Sequence, residues 1–285
     1  MSSGRLQLRK TMDKLSKAVF FLATSFGIIA LAILLYNIIS QGIGWLDWQF
    51  LTSFPSRFPE KAGVKPALIG SLWVIGFTAP VAFVVGLGTA LYLEEYAQKG
   101  RFSRLIQINI NNLAGVPSIV FGILGLGLFV KNLGLGRSIL SAALTMALLI
   151  LPIIVVASQE ALRSVPQHLR NASYALGATK WQTIWRVVLP AAFPSILTGV
   201  ILAVSRAIGE TAPLVVVGAV GFMSFVPNSP FDLFTVLPIQ IFHWTARPQE
   251  EFRYIAAAAI MVLLAVLFTL NALAVYLRNK YQKRF

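Results

Sequence analysis

The sequence predicts an all-α, polytopic integral membrane protein with about six spans. Three observations carry this. First, 57% of the 285 residues are hydrophobic and only 12% are charged, about half the charged share of a soluble domain. Second, the charges are spaced to leave uncharged runs at 18–46, 66–93, 105–130, 138–159, 187–205, 211–231 and 254–277. Even the shortest approaches the ~20 residues with which a helix crosses the hydrocarbon core. Third, the runs are too long and too evenly apolar for barrel strands, which alternate over about 10 residues.

Seven runs reduce to six helices. Arg5, Arg9, Lys10, Lys14 and Lys17 crowd one terminus, and Arg278, Lys280, Lys283 and Arg284 the other. By the positive-inside rule both ends face the cytoplasm, so the number of crossings is even. Only Arg206 to Glu210 separates the runs 187–205 and 211–231, so they read as one long helix. The expected spans are 18–40, 67–93, 112–130, 138–158, 192–219 and 254–277. The segment 1–17 and the tail 278–285 are expected in the cytoplasm, with a long cytoplasmic loop at 159–190.

Loop charges agree with that orientation. The expected cytoplasmic segments hold 16 of the 24 Lys and Arg residues and the external ones 7, which leaves Arg206. This distribution also accounts for the net charge of +14 better than nucleic-acid binding does. The first span is expected to stay, being long for a signal peptide and lacking a clear cleavage site. The absence of cysteine excludes disulfides and thiolate metal sites. No Gly-Lys pair exists, so no phosphate-cradling P-loop is present. His168 and His243 lie on loops expected on opposite sides, which excludes a shared metal site. The sequon at 171–173 falls on an expected cytoplasmic loop. The close glycines of "GILGLGLF", 122–129, read as helix packing through small residues.

Two stretches hold the chemistry. In "AVSRAIGETAPLVVVGA", 203–219, Arg206 and Glu210 lie inside an apolar run, where each charge costs roughly 2.5–3.5 kcal/mol. Their i, i+4 spacing sets them on one helix face. Gly209 and Pro213 predict a kink. Such a turn suits the wall of a translocation path, with Ser205 and Thr211 as weaker candidate donors; the plainer reading is an ion pair that fixes two helices together. The second stretch is the loop 159–190. Pro166 can start a helix, Gly177 interrupts it, and Trp181 and Trp185 share a face once the helix resumes. The face is either an interfacial anchor or a docking surface. An external segment, 221–253, carries Phe222, Phe225, Phe231, Phe234, Phe242 and Trp244 among four prolines. It is expected to cap the bundle, or to form part of a docking face with Arg57, Lys61 and Lys65.

The loop resembles the coupling loop of bacterial ABC importer permeases, which reads Glu-Ala-Ala, then Gly, then Ile-x-Leu-Pro. Here Asn171, Ala172 and Ser173 stand in place of Glu-Ala-Ala, while Gly177, Val187, Leu189 and Pro190 follow the pattern. "SRAIGETAPL", 205–214, resembles the phosphate-specific permeases of the PstA rather than the PstC type, as do "LAGVPSIVFGILGLGLF", 113–129, and "LPIQIFHW", 237–244. This resemblance implies a type I importer fold and a transport subunit that is not itself an enzyme. It implies a homologous second permease of the PstC type, two copies of an ATPase subunit that bind ATP and Mg, and a periplasmic phosphate-binding protein. No cofactor is expected in this chain. Asn171, Ala172, Gly177, Ala178, Trp181, Trp185, Leu189 and Pro190 would meet the ATPase, and Arg206, Glu210, Thr211 and Ser205 would line the phosphate path. Sulfate or molybdate as the substrate, a secondary transporter working alone and a membrane scaffold are the competing readings.

Overall fold

The computed structural model describes residues 3–98 and 100–281; Met1, Ser2, Lys99 and residues 282–285, with Lys283 and Arg284 of the basic tail, lie outside it. Among the described residues all regular secondary structure is helical. Among the described residues five helical stretches are long and apolar enough to cross a membrane, and a pair bent by 109° brings the number to six if it counts as one broken span rather than a re-entrant loop.

Helix α1, Ser3–Gly42, packs along the last helix, α12, Glu251–Tyr281. Gly42 lets the two backbones touch at their far ends, because a Cβ there would sit 2.7 Å from the Ala257 carbonyl carbon. A short helix α2, Trp48–Thr52, is capped by Asp47, whose carboxylate accepts from Phe50 N at 2.6 Å.

Helices α3, Lys65–Leu91, and α6, Ile139–Arg163, form the centre. Thr78 donates to the Ala143 carbonyl at 3.2 Å, and Val74, Ala82, Met146, Ile150 and Ile154 fill the core between them. Pro66 sits in the first turn of α3, where its missing N–H is no loss. Ser138 caps α6 by accepting from Ser141 N.

The third span departs from its expected bounds. Residues 112–114 end a separate helix, α4, Arg101–Ala114, and the next helical stretch, Ser118–Asn132, leaves at a 109° bend. Pro117 makes the corner, since the residue before a proline is pushed out of helical geometry. Past the corner, α5, Ser118–Gly125, widens into a π turn to Asn132, closed by Leu133 N on Leu128 O at 2.9 Å. Two of its three close glycines serve packing, and Gly127 has no atom within 4 Å of an added Cβ. Gly122 lies against Pro213 and Val216, and Gly125 against Thr145.

After α6 come α7, Gln167–Ala175, and α8, Lys180–Thr183, then α9, Leu189–Gly209, which returns antiparallel to α6 with Gly199 against Ala157. The expected single helix over 192–219 is instead two: α9 ends at Gly209, and α10 covers only Ala212–Val217. Glu210 between them is extended. The segment beyond α10 folds back over the bundle. Val220 donates to Phe234 O, and Pro230 and Asp232 carbonyls take the Leu140 and Ile139 N–H groups that open α6. Phe234 and Trp244 are buried, while Phe222, Phe225, Phe231 and Phe242 are exposed. This segment ends in α11, Leu237–Thr245, docked on α3 and α12, with Leu237 N donating to Ser71 Oγ at 2.9 Å.

The α3–α11 contact depends on Gly70, where a Cβ would lie 2.1 Å from the Thr235 carbonyl oxygen. That atom belongs to backbone already pinned by the adjacent Ser71 bond. Gly70→Ala is therefore expected to lower stability by about 1–3 kcal/mol, whereas Gly88→Ala, also inside α3 but with no atom within 4 Å, should be neutral or stabilise by up to about 1 kcal/mol. Thermal unfolding of the purified protein in detergent compares the two; equal midpoints would refute the close approach.

Candidate functional site: a charged chain break and a loop held by ion pairs

Gly199 meets Ala157, and Arg206 lies seven residues further along the antiparallel α9. At 1.5 Å per residue this is about 10 Å, which places Arg206 opposite the middle of α6. Ala203 and Ala207 bury the face turned to α6. Leu202, Arg206 and Gly209 form the exposed stripe of the same helix.

Arg206 Nε lies 3.5 Å from Glu210 Oε1, with the side chains 52% and 18% exposed. This is a loose pair. Neither terminal guanidinium nitrogen of Arg206 has a partner among the described residues, so the fork of donors is open. Glu210 does not continue the helical face, as the i, i+4 spacing suggested. It occupies the extended residue after α9, with its N–H donating to Ala207 O at 3.2 Å. Pro213 does not kink a helix; it is the second residue of a new one, where proline fits without losing a hydrogen bond. Gly209 has open space around its Cα.

The other two candidates separate from this pair. Ser205 Oγ lies 2.7 Å from Ile201 O and 2.6 Å from Asn271 Oδ1 on α12, so its hydroxyl is already engaged. Thr211 lines an apolar hollow of about 570 Å³ with Ile119, Val215 and Phe242. Asn271, which sequence reasoning missed, is one of two polar contacts that join α9 to α12 among the described residues, the other being Arg278 donating to Thr198 Oγ1 at 3.1 Å. The only signal for Asn271 was an amide inside an otherwise apolar span.

At the other site, α7 ends at Ala175 and the chain turns through Gly177, whose φ is +80°. Thr179 then opens α8 with a reciprocal cap, accepting from Gln182 N while Gln182 Oε1 accepts from Thr179 N. A π turn over 184–188 leads into α9 at Leu189 and Pro190. Asn171, Ala172, Trp181 and Trp185 are exposed, and Ala178 is half-buried. The two indoles lie together with ring centroids 5.2 Å apart. Leu176 is 89% exposed. The result is an apolar ledge of Leu176, Trp181 and Trp185 beside the Gly177 turn.

Sequence reasoning also missed what holds this loop. Glu94 and Glu95 lie in a π turn, Tyr92–Tyr96, that extends α3. Glu94 takes two hydrogen bonds from Arg163, at 2.6 and 3.0 Å. Glu95 pairs with Arg170 of α7, whose second nitrogen donates to Leu162 O at 2.8 Å. These side chains are 6% and 13% exposed, so removal of either would strand a shielded charge at about 3–5 kcal/mol. The signal was two adjacent acids at an end of a span where basic residues are the rule.

Comparison with known proteins agrees with this architecture. Residues 82–283 match the family described as binding-protein-dependent transport system inner membrane component. The chain is 38% identical over 282 residues to the phosphate transport system permease protein PstA 1 of Mycobacterium tuberculosis, covering 96% of this chain and 91% of that protein. It is 34% identical over 265 residues to the PstA of Haemophilus influenzae, covering 92% and 93%. In fold it is similar to a chain of a bacterial ABC transporter involved in alginate import, with a TM-score of 0.69 at 18% identity over 98% of this chain and 100% of that one. The chain therefore belongs to the binding-protein-dependent transport system inner membrane components, as an ABC importer permease subunit of the PstA type.

Proposed function

We propose that this chain forms half of the translocation path of an ATP-driven importer of inorganic phosphate, and that Arg206 is its principal anion contact. The observation that carries this is the open guanidinium fork of Arg206, opposite the middle of α6 and beside a break in the backbone. A backbone break inside a bilayer is tolerated where it is buried in protein or lines a water-filled cavity. The exposed stripe of Leu202, Arg206 and Gly209 is thus the wall a second, homologous permease of the PstC type would face. A planar fork matches two oxygens of a tetrahedral oxyanion. Glu210, in contact through Nε, orients the fork without filling it, and its charge keeps anion binding weak enough for release. The relatives named for phosphate transport favour phosphate over sulfate or molybdate.

The remaining partners follow from the loop and the family. In this reading both termini and the 159–190 loop lie in the cytoplasm of a bacterial inner membrane, as the 16-to-7 distribution of basic residues favours. The apolar ledge of Leu176, Trp181 and Trp185 meets an ATPase subunit, which binds ATP and Mg in its own chain. A periplasmic phosphate-binding protein delivers the anion to the opposite face. A transporter working without an ATPase would leave that ledge only the part of an interfacial anchor, so the family membership favours the docking reading.

Arg206→Lys keeps the charge but gives up the fork, a loss of one charge-assisted hydrogen bond worth about 1.5–3 kcal/mol, or ~10–150-fold in rate. Arg206→Gln is expected to bring labelled-phosphate uptake to background. Both are read in vesicles with subunit levels measured alongside. Normal uptake by a normally assembled Arg206→Gln complex would make the ion pair purely structural.

Gly177→Val tests the loop. A β-branched residue at φ +80° is strained by more than the ~1–2 kcal/mol of an ordinary side chain, so the turn should deform and the ledge tilt. The expected result is normal insertion with diminished ATPase co-purification or uptake. Wild-type values for both would remove the loop from ATPase contact.

A further inference from the structure

We infer that the turn Tyr92–Tyr96 is the joint through which movement of the 159–190 loop is passed into α3, with Glu95 and Arg170 as its principal positioning pair. The inference rests on the reading that this loop meets the ATPase. It starts from an arrangement in which three consecutive side chains of one turn each hold a different element. Glu94 binds Arg163 in the last turn of α6. Glu95 binds Arg170 in α7. The Tyr96 ring lies under Lys180 of α8, with the ammonium 5.0 Å from its centroid. Ala97 N donates to Tyr92 O at 2.8 Å, the wide i to i+5 bond of a π turn.

Not all three attachments have the same character. Glu94 with Arg163 ties two neighbouring spans that already pack along their length, and Arg163 is half-exposed. Glu95 with Arg170 ties a span to a loop helix with no residue of its own fully buried. α7 is also attached by Leu169, which packs on the cluster of Ala161, Leu162, Val165 and Val188, by the Ser173 and Thr183 hydroxyls at 2.9 Å, by the Arg170 bond to Leu162 O, and by packing on α8 and the 184–188 turn; the Glu95 pair adds the charged tie to the turn that extends α3. A shielded, hydrogen-bonded ion pair resists displacement where an exposed one is screened and yields. A push on the ledge of Leu176, Trp181 and Trp185 therefore reaches α3 through Arg170 and Glu95, reinforced by Lys180 over Tyr96. Along α3 it reaches the α6 and α9 contacts that flank Arg206.

The test uses the whole complex in vesicles: both permeases, the ATPase and the phosphate-binding protein. ATPase co-purification, ATP hydrolysis and labelled-phosphate uptake are measured together. Glu95→Gln should leave the ATPase bound and hydrolysis within about twofold, while phosphate imported per ATP falls roughly tenfold, the scale on which coupled pairs act. The exchange Glu95→Arg with Arg170→Glu should recover most of that ratio. Arg170→Lys keeps the charge opposite Glu95 but gives up the bond to Leu162 O, and should lower the ratio about two- to threefold. If Glu95→Gln does not accumulate, Arg170→Lys decides alone. An unchanged ratio in the deciding variant, with the ATPase bound, overturns the joint and leaves the loop's contact with the ATPase standing. Failure of the ATPase to associate with the wild-type loop overturns that contact and the joint with it.

Discussion

The interior of a bilayer offers no hydrogen-bond partner, so a backbone that leaves the helical path there must be covered by protein or by trapped water. This chain leaves the path at Glu210 and Thr211, opposite the middle of α6. Much of the surrounding fold serves to hold the six-residue α10 that follows. Gly122 of α5 comes against Pro213 and Val216 at one side. At the far end Gly218 takes φ +111°, and the stem of Arg137 packs over it where a Cβ would collide. The 218–236 segment then folds back and spends its carbonyls on the first turn of α6. A short, bracketed helix after an open turn holds a charged residue opposite the middle of α6 without leaving the chain free to unwind.

The two kinds of ion pair differ in a way that matches their places. Glu95 and Arg170 are shielded and supported by a backbone carbonyl, so either charge alone would be costly. Arg206 and Glu210 touch through one long contact, with half of the arginine exposed. A pair of that sort gains little from being closed, so in the proposed path an arriving anion would displace it at small cost. Tight pairing suits a joint that transmits force, and loose pairing suits a contact that must be made and broken in each cycle.

The helices were legible in the sequence because lipid imposes a simple rule, that charges stay out of the spans. The uncharged runs locate α3, α6 and α12 within a few residues, whereas α1 begins at Ser3, well ahead of the run at 18–46, because its charged first turns are helical too. The same rule hid the corner at Gly115 to Pro117, because a turn made of uncharged residues looks like part of a span; only Pro117 marked it. It also joined α9 to α10. The i, i+4 spacing of Arg206 and Glu210 assumed a helix through Gly209, whereas Pro213 reads equally as the start of a new helix, and that is its place. Glu95, Arg170 and Asn271 went unnoticed for another reason. Their partners lie 66 to 75 residues away, and no local pattern announces which acid or amide will meet which helix. The turn at Gly177 was legible, because a glycine between two helix-forming stretches has few other uses.

The central claim is that the break beside Arg206 lines a water-filled, phosphate-bearing path. The chain contains no cysteine, and Gly209 has open space around it, so Gly209→Cys places a single thiol at the break. In the assembled complex the thiol is exposed to a water-soluble, membrane-impermeant thiol reagent, with and without phosphate. The account predicts labelling by the aqueous reagent, slowed by phosphate but not by chloride at equal ionic strength. Reaction only with a lipid-soluble reagent, at a rate phosphate does not change, would place the break against lipid and contradict the path.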